Sequence, residues 1–376
     1  MDLSSVRSLQ GGRVRIAVDA VGGDHGPGEV VPGALDYARE HPGDEVILVG
    51  DQDRVAAVAG RLPANARIVH AGSVIEMDEA PALALREKKD ASILVAMQLV
   101  RSGEADAVVT AGHTGAGMAA AVLKLGRLPG VDRPGLAIQM VTESGPFVLI
   151  DIGANPDSSA ENLFQYAHMA SLFADKVLGV RRPRVALLSI GEEKGKGDAR
   201  IQRATELLDG SSLNFTGNIE GKDLVKHAAD VVVCDAVVGN VTIKFFEGLS
   251  TFIFGLVQRE FRRPPLGPIA YLLMRGGIRR IRGVFDYEKL GGSPLLGVRG
   301  TVIITHGRAR RRMIGYAVGV GAAAARARVP ELITEAFRPG GEAAEAVARL
   351  DGSPAPPDAT AEVGGIAPAG SPEPAG

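Results

Sequence analysis

The chain has 376 residues, of which 45% are hydrophobic and 23% are charged, and its formal net charge is -2. This composition is that of ordinary globular proteins, so it excludes a chain that is wholly disordered or wholly embedded in a membrane. Because only 4% of the residues are aromatic, Trp is absent and positive charge is not in excess, the sequence also argues against nucleic-acid binding.

Seven short apolar runs, most of which stop at an acidic residue, Gly or His, predict buried strands. In chain order they are RIAVDAVGG, EVILVGD, ADAVVTAGHTG, PFVLIDIGAN, RVALLSIGEE, DVVVCDAVVGN and TVIITHG. Helical spacing between them predicts helices over 30–39, 82–100, 116–125 and 162–178. Strands separated by crossover helices predict an α/β fold of three layers, with a mostly parallel sheet that is covered on both faces.

Polar residues at the ends of these strands are candidates for a binding site, because ligands of such sheets bind beyond the carboxyl ends of the strands. We expect these residues to face one crevice although they are far apart in the sequence. They are Asp19, Asp24, His25, His113, Asp151, Asn155, Glu192, Asp235, Asn240 and His306.

Residues 245–285 differ from the rest of the chain. They contain two apolar, helix-like segments joined by RRPPLGP, whose prolines end the first helix, so we predict a protruding helical hairpin. Its apolar residues are interleaved with arginines, namely Arg259, Arg262, Arg263, Arg275, Arg279, Arg280 and Arg282. This pattern fits an anionic membrane surface or an acidic partner, and it equally fits a dimer interface with a solvated basic face.

The two ends of the chain are predicted to lie outside the folded part. Residues 1–13 are predicted to form a flexible leader, and they lack the apolar core of a signal peptide. Residues 340–376 are rich in Ala, Gly, Pro and Glu and cannot bury enough apolar surface to offset their ordering entropy, so we predict a disordered tail. The α/β domain is therefore expected to span residues 14–330.

Cysteine usage and hydropathy predict a cytoplasmic protein. The lone cysteine, Cys234, cannot form an internal disulfide. No stretch reaches the roughly 18 to 20 uninterrupted apolar residues of a spanning helix, so any membrane contact is expected to be peripheral.

The segment ADAVVTAGHTGAGMAAAVLK predicts a strand, a Gly-rich turn and a helix. Glycines let a backbone approach an anion closely, and the start of a helix offers unpaired N–H groups and a positive dipole end. We therefore expect a phosphate or acyl-phosphate site at Gly112, His113, Thr114 and Gly115. A tight turn without any ligand is the alternative.

The same segment fits the weak G-x-G-x-x-G/A pattern of dinucleotide-binding proteins through Gly115, Gly117 and Ala120. That pattern requires an acidic residue at the end of the next strand, about 20 residues further on. Here the region reads GRLPGVDRPG, where Asp132 lies in a loop of Pro and Gly. The dinucleotide interpretation is weakened but stays open.

The segment VCDAVVGNVTIKFFEG repeats the strand, loop and helix. Gly239 and Asn240 lie in the loop and Lys244 lies one turn further on, where an ammonium group can neutralise phosphate and the Asn amide can donate to it. A surface position is the alternative for Lys244, because lysines are usually exposed. Two such anion sites would suit a reaction in which one site binds an anionic nucleophile and the other binds a developing oxyanion.

Further Gly-rich loops carry polar residues in DAVGGDHGP, IGEEKGKGD and NFTGNIEG. Lys194 and Lys196 in the second loop suit phosphate, or they are solvated loop charges. Covalent catalysis is poorly supported, since no G-x-S-x-G motif is present and Cys234 ends a hydrophobic run. The histidines lack the paired spacing of metal ligands, so we expect no metal.

Together the motifs resemble the phosphate acyltransferases of bacterial phospholipid synthesis, over about residues 14–328. The matching segments are DAVGGDHGP, EAPALALREKKDAS, ADAVVTAGHTGA, LGRLPGVDRP, DIGANPD, RVALLSIGEEKGKG, NFTGNIEGKD, VVVCDAVVGNVTIK and GGSPLLGVRG. The resemblance implies transfer of a long-chain acyl group from acyl carrier protein to inorganic phosphate, giving acyl phosphate for a membrane glycerol-3-phosphate acyltransferase. It also implies a cytoplasmic homodimer of the isocitrate-dehydrogenase-like and phosphotransacetylase fold, without cofactors, whose hairpin contacts the membrane.

With this resemblance, we predict that the catalytic residues are Asn240, Lys244, His25 and His306. The predicted substrate-binding and phosphate-binding residues are Gly112, His113, Thr114, Gly115, Asp19, Asp24, Asp151, Asn155, Lys194, Asn218, Asp235 and Gly239. We expect direct attack of phosphate on the thioester without an acyl-enzyme. Backbone N–H groups from Gly112 to Gly115 are expected to bind an anion, and His25 or His306 is expected to donate to the departing sulfur.

Two positions depart from the family pattern. His113 stands where the family usually has Asn in G-N-T-G-A, and GRARR follows His306 where the family usually has an H-G-S-S run. Two alternatives to the acyltransferase are a nicotinamide-dependent hydroxy-acid dehydrogenase on the same fold and a non-enzymatic, membrane-associated scaffold.

Overall fold

The computed structural model describes residues 12–142, 144–263, 265–284, 288 and 291–343. Most of the predicted leader, residues 1–11, and most of the predicted tail, residues 344–376, lie outside the described residues. The strands are β1 Arg15–Asp19, β2 Glu45–Gly50, β3 Ala66–His70, β4 Ala107–Thr110, β5 Gly135–Thr142, β6 Gly145–Ile150, β7 Arg184–Leu188, β8 Asn214–Ile219, β9 Val231–Val233, β10 Ser293–Leu296 and β11 Thr301–Ile304. The helices are α1 Pro27–Glu40, α2 Gln52–Ala59, α3 Pro81–Glu87, α4 Ser92–Arg101, α5 Thr114–Lys124, α6 Ala160–Lys176, α7 Ala199–Asp209, α8 Ala236–Phe261, α9 Leu266–Val284, α10 Arg311–Arg326 and α11 Val329–Ala336.

The described strands join in one sheet, in the order β3-β2-β1-β4-β11-β10-β5-β6-β9-β7-β8. Strands β3, β2, β1, β4 and β11 are parallel to one another and form what we call the first half. Strands β6, β9, β7 and β8 are also mutually parallel and form the second half. Between the halves, β10 and β5 pair antiparallel with each other and with their outer neighbours. Three reversals in succession make the two halves run in opposite directions.

Alternate residues of the strands are buried on opposite faces of the sheet, as a covered parallel sheet requires. Ile16 and Val18 of β1 belong to one apolar cluster together with residues of α1, α6 and α10. Ala17, between them, belongs to a second cluster that includes residues of α4 and α5. In the second half, Leu149 packs on the latter face with Ile243 of α8. The predicted three-layer α/β fold with a mostly parallel sheet is therefore confirmed.

Two kinds of local prediction were wrong: the extent of one helix and the number of strands. The single helix expected over 82–100 is two helices, α3 and α4, because the backbone of Ala91 pairs with Ser73 and the Ser92 N–H donates to the Ser73 carbonyl. Strands β3, β5, β8 and β10 were not expected. The last of these begins Ser-Pro after two glycines and has only four residues, so it carries no strong strand signal.

Helices α8 and α9 occupy the region of the predicted hairpin. The first turns of α8 pack on the sheet, whereas most of its residues from Phe245 onward are at least partly exposed. The rings of Phe261 and Tyr271 lie 5.8 Å apart, which brings the end of α8 against α9. Of the helices in the described part of the chain, α8 is the one that is long and apolar enough to cross a membrane, judged by length and composition alone.

Candidate active site

The two opposed halves divide the predicted site residues between two edges of the sheet. Strands β1, β4 and β11 end at one edge, which we call the first edge; Asp19, Gly112 and His306 lie there. Strands β6, β7, β8 and β9 end at the other, the second edge, where Asp151 and Asp235 lie. The expectation of a single crevice at the carboxyl ends of all the strands is therefore wrong. The reversal is caused by β10 and β5, which the sequence did not reveal.

Three loops meet at the first edge, and glycines allow their close contact. A Cβ on Gly22 would lie 2.6 Å from Asp19 Oδ2 and 3.1 Å from the backbone nitrogen of Gly112. Gly23, at a φ of 87°, would place a Cβ 3.0 Å or less from the carbonyl oxygens of Ala111 and Gly307. The loops that follow β1, β4 and β11 thus form one packed unit, in which larger residues at the two glycines cannot be accommodated without rearrangement.

Under this unit lies a chain of hydrogen bonds from a buried carboxylate. The Thr110 hydroxyl donates to Asp19 Oδ2 at 2.8 Å, and the Gly112 N–H donates to Thr110 Oγ1 at 3.0 Å. Asp19 is 2% exposed, and burial raises its pKa. The Ser92 hydroxyl lies near enough to oppose this effect, although neither Asp19 Oδ1 nor Ser92 Oγ makes a hydrogen bond of normal geometry within the described residues. Asp19 therefore supports the loop from below, and its burial keeps it from direct contact with a substrate.

His113 caps the first turn of α5. Its Nδ1 accepts hydrogen bonds from the N–H groups of Gly115 at 3.0 Å and Ala116 at 3.4 Å. An Asn side chain at this position would use its carbonyl oxygen for the same task, so the departure from the family pattern preserves the cap. The expectation that all N–H groups from Gly112 to Gly115 bind an anion needs correction, because those of Gly112 and Gly115 are already engaged. No hydrogen bond within the described residues engages the N–H groups of His113 and Thr114, so these two can bind a ligand.

The loop after β11 is held by the helix that leads into the hairpin. Glu247 of α8 accepts from His306 Nε2 at 3.0 Å and pairs with the Arg308 guanidinium at 2.8 Å. The hydrogen bond with His306, followed by the charge of the two partners, lowers the pKa of Glu247. Next to them lies a narrow cleft of about 30 Å³ lined by Ile138, Glu247, Gly292, Ser293, Ile304, Thr305, His306 and Met313. The cleft thus combines an apolar wall with a His–Glu pair.

Helix α8 connects the two edges, because it begins at Asp235 on the second edge and reaches His306 of the first edge at Glu247. Twelve residues of α-helix span about 18 Å. Asn240, Lys244 and Glu247 are spaced four and three residues apart, so they share one flank of the helix. Asn240 and Lys244 are exposed on this flank, and Glu247 on the same flank contacts His306 of the first edge. This flank, together with the first-edge loops, is the candidate active site.

Glu247 is the residue of this site that sequence reasoning missed. The available signal was a lone carboxylate inside the apolar run FFEGLSTFIFGL, seven residues after Asn240. Gly239, in contrast, was predicted to bind phosphate but has a packing role, because a Cβ there would overlap the carbonyl oxygen of Asp151. It allows the first turn of α8 to pack against the end of β6.

At the second edge, Asp151 is enclosed by donors of its own loop. Its Oδ1 accepts from the N–H groups of Leu136, Gly153 and Ala154, and its Oδ2 accepts from that of Asn155, at 2.8 to 3.1 Å. Burial raises the pKa of Asp151, and these donors oppose that effect. Asn155 in turn donates its amide to the Pro134 carbonyl and the Tyr166 hydroxyl. These two predicted binding residues are thus used within the fold.

The other predicted residues of the second edge also have internal partners. Asp235 caps α8 and accepts from Arg200 at 2.8 Å. Lys194, whose side chain is 82% exposed, pairs with Asp209 at 2.9 Å. Asn218 is buried and accepts from the Thr205 hydroxyl. The structure places all three away from the first-edge loops.

The remaining candidates lie at the first edge or in the core. Asp24 and His25 are exposed in the loop after β1, and the Asp24 N–H donates to the Gly307 carbonyl. Cys234 is buried, and burial raises the pKa of its thiol well above the usual range. In the described part of the chain, no group of three or more His, Cys, Asp and Glu side chains is placed to hold a metal ion.

The fold places the protein in a known structural class. It is similar to the EutD phosphotransacetylase from Staphylococcus aureus, with a TM-score of 0.56, 18% sequence identity and coverage of 86% of this chain and 98% of that one. At this identity the likeness shows the fold alone. It defines an α/β protein of the phosphotransacetylase type, as the resemblance implied.

Sequence similarity is more specific. The family described as "Fatty acid synthesis protein" matches residues 14–332. The phosphate acyltransferase of Desulfitobacterium hafniense is 47% identical over 310 residues, which are 82% of this chain and 92% of that protein. The phosphate acyltransferase of Nitratidesulfovibrio vulgaris is 46% identical over 326 residues, which are 86% and 94%. The chain belongs to the phosphate acyltransferase family and is an acyltransferase, which sets aside the dehydrogenase and the scaffold.

Proposed function

We propose that the protein transfers a long-chain fatty acyl group from acyl carrier protein to inorganic phosphate and releases acyl phosphate. The observation that carries this proposal is the cleft at the first edge, which is lined by His306, by Glu247 and by apolar side chains. Asn240 and Lys244 are exposed on the flank of α8 that also carries Glu247. The names of the relatives support phosphate as the acceptor. The description of the family supports a fatty acyl donor.

In the proposed reaction, an oxygen of hydrogen phosphate attacks the carbonyl carbon of the thioester. The new C–O bond forms, the C–S bond breaks, and the proton lost by phosphate is balanced by the proton gained by the departing sulfur. Phosphate is already anionic at neutral pH, and a thiol of pKa about 8.5 is a tolerable leaving group, so the enzyme needs chiefly to position phosphate and stabilise the oxyanion. The burial of Cys234 favours this direct route over an acyl-enzyme.

The anionic groups are assigned to two sets of donors. Lys244 and the Asn240 amide, on one flank of α8, bind the phosphate. The backbone N–H groups of His113 and Thr114, which have no partner assigned within the loop, bind the oxyanion at the start of α5. Support for this division comes from the hydrogen bonds that occupy the neighbouring amides.

The proton for the departing sulfur is assigned to His306, which lines the cleft beside the apolar wall. His25 is the alternative donor, because it is exposed at the same edge on the loop after β1. The contact of His306 with Glu247 favours His306, since a carboxylate that accepts from one ring nitrogen orients the imidazole.

The hairpin is assigned to assembly and docking. We infer a cytoplasmic homodimer whose hairpin also contacts the membrane surface, where the product reaches a membrane glycerol-3-phosphate acyltransferase. Large apolar side chains of α8 and α9 are exposed, namely Phe245, Leu249, Phe252, Ile253, Leu256, Val257, Leu266, Ile269, Tyr271, Leu272, Leu273, Met274 and Ile281. Because α8 is fixed to the sheet through Asp235, Ile243 and Glu247, surface contact fits it better than a transmembrane path.

Acyl-phosphate formation from palmitoyl-carrier protein and phosphate tests the reaction, with palmitoyl-coenzyme A as the parallel donor. Carrier-dependent turnover is expected, and Lys244→Ala should lower kcat/KM for phosphate by about a hundredfold, the usual effect of removing one anion donor. Absence of turnover with either donor would refute the proposal. Exchange of label between phosphate and acyl phosphate without any carrier would contradict direct attack.

Sedimentation tests the hairpin assignment. The full chain should sediment as a dimer and should bind vesicles that contain anionic phospholipid more strongly than neutral vesicles, because arginines flank the apolar surface. Leu273→Glu should weaken vesicle binding, since Leu273 is 81% exposed. Unchanged binding would exclude α9 from the membrane contact.

A further inference from the structure

We propose that Glu247 is a positioning residue of the acyl transfer: from the helical hairpin it holds the imidazole of His306 in the orientation that delivers a proton to the departing sulfur. This inference rests on the proposed function, because it assigns a task to the same crevice. It adds a residue that the motifs did not indicate, and it places that residue on the hairpin rather than on the sheet.

The geometry gives Glu247 two separate partners, one for each carboxylate oxygen. Oε1 lies 3.0 Å from His306 Nε2, and Oε2 lies 2.8 Å from a guanidinium nitrogen of Arg308. The side chains are 22% exposed for Glu247 and 37% exposed for His306, so the pair is partly shielded from water. A shielded, charge-assisted contact fixes the ring more firmly than an exposed ion pair would.

The contact also determines which ring nitrogen faces the substrate. Because Nε2 donates to Glu247, the nitrogen that is left for the reaction is Nδ1. In the protonated ring Nδ1–H can give its proton to the sulfur as the C–S bond breaks, and the ring regains a proton that phosphate has released. The carboxylate keeps the ring in this orientation during the transfer. Without it, the ring would be free to rotate.

The contact with Arg308 suggests a different role for Glu247, which the experiment must distinguish from the positioning of His306. Arg308 stands in the GRARR segment, where this chain departs from the family pattern, and it shares the carboxylate with His306. Glu247 would then serve only to neutralise a cation near the phosphate site. The two explanations differ in the variant that restores activity.

The test compares Glu247→Gln with Glu260→Gln, the same substitution on the same helix at an exposed carboxylate that pairs with Arg263. For Glu247→Gln we expect kcat with palmitoyl-carrier protein to fall by at least about tenfold, which is within the range for general-acid catalysis, while KM for phosphate stays within about twofold. Glu260→Gln should match the wild type. Glu247→Asp, which keeps the charge on a shorter side chain, should recover part of the loss.

Two further measurements distinguish positioning from a structural role. In a His306→Gln background, Glu247→Gln should cause little further loss, because both changes remove the same step. The loss should also shrink with S-palmitoyl-4-nitrobenzenethiol as donor, since its thiolate leaves without protonation. Thermal unfolding of each variant controls for folding.

Several results would overturn the inference while leaving the proposed function intact. They are full activity of Glu247→Gln, losses that multiply in the double variant, equal losses with both donors, and rescue of Glu247→Gln by Arg308→Ala. If the wild-type protein itself shows no phosphate-dependent turnover, the proposed function fails instead, so the two failures are distinguishable.

Discussion

Asp19 at the first edge and Asp151 at the second edge are both buried carboxylates at the carboxyl end of a strand in a parallel half, yet their surroundings differ. Asp151 accepts hydrogen bonds from four backbone N–H groups. Asp19 accepts from Thr110, while its other oxygen has no partner among the described residues. The Thr110 hydroxyl that donates to Asp19 in turn accepts from the Gly112 N–H, so Asp19 supports a neighbouring loop, whereas Asp151 is enclosed by N–H groups around its own loop. The comparison teaches that residue type at a strand end does not identify a site, because the hydrogen-bond partners determine what the carboxylate does.

The largest expected effect tests whether the second edge is structural. Gly239→Ala should lower the free energy of unfolding by about 3 kcal/mol, because a Cβ overlaps the Asp151 carbonyl in a tightly packed place. Gly248→Ala on the same helix is the matched control. Its Cβ would meet nothing within 4 Å, and it should stabilise by up to about 1 kcal/mol through helix propensity. Urea unfolding measures both, and equal stability of the two variants would show that α8 is not closely packed there.

That packing also shows why the fold was only partly predictable from the sequence. Strands β1, β2 and β4 are continuous apolar runs buried on both faces, and this local property suffices to predict them. The pairing of Leu295 with Leu136 joins residues far apart in the sequence, and SPLL carries little strand signal. Without these strands, the direction of the second half could not be derived, so the site residues were assigned to one crevice. Glu247 stayed hidden for the same reason, because its partner His306 lies on a distant strand end.

The second half also contains buried polar atoms without a hydrogen-bond partner among the described residues, at His168, Ser171, Ser189 and Arg200, and the His168 imidazole makes stability depend on pH. His168 of α6 is buried between Phe164 and Phe337, and its Nε2 has no partner among the described residues. Burial lowers its pKa from 6.5 to about 4. Since the folded-state pKa is depressed, the neutral ring is favoured in the fold, and stability is fully present above pH 6.5 and falls as the pH drops toward 4.

At pH 5 the unfolded chain binds a proton at His168 more readily than the folded protein does. This difference should lower the free energy of unfolding by about 2 kcal/mol relative to pH 7.5. His168→Phe should remove this part of the pH dependence, because the replacement ring is uncharged and fits between two aromatic rings. Urea unfolding at both pH values gives the difference. An unchanged pH dependence in the variant would mean that His168 is solvated or paired in the native state.

A smaller effect is expected at the first edge, where His113 replaces the usual Asn. His113→Ala should destabilise by about 1 kcal/mol through loss of the cap, while His113→Asn should retain most of the stability, because its side-chain oxygen can accept the same N–H bonds. Unfolding free energies of the two variants measure the cap, and turnover measured beside them separates capping from substrate binding. If the Asn variant loses as much stability as the Ala variant, the imidazole contributes packing rather than an acceptor.

The smallest effect belongs to Lys194, and it tests the comparison most directly. Its side chain is 82% exposed and its ion pair with Asp209 lies in solvent, so Lys194→Ala should change the free energy of unfolding by less than about 0.5 kcal/mol. Phosphate saturation should also be unchanged, in contrast to Lys244→Ala, because Lys194 follows β7 at the second edge, whereas Lys244 shares the α8 flank with Glu247. A raised KM for phosphate in Lys194→Ala would bring the second edge into the reaction. Because the two edges of one subunit lie at opposite ends of the strands, the loop after β7 would then have to reach the first edge of another subunit.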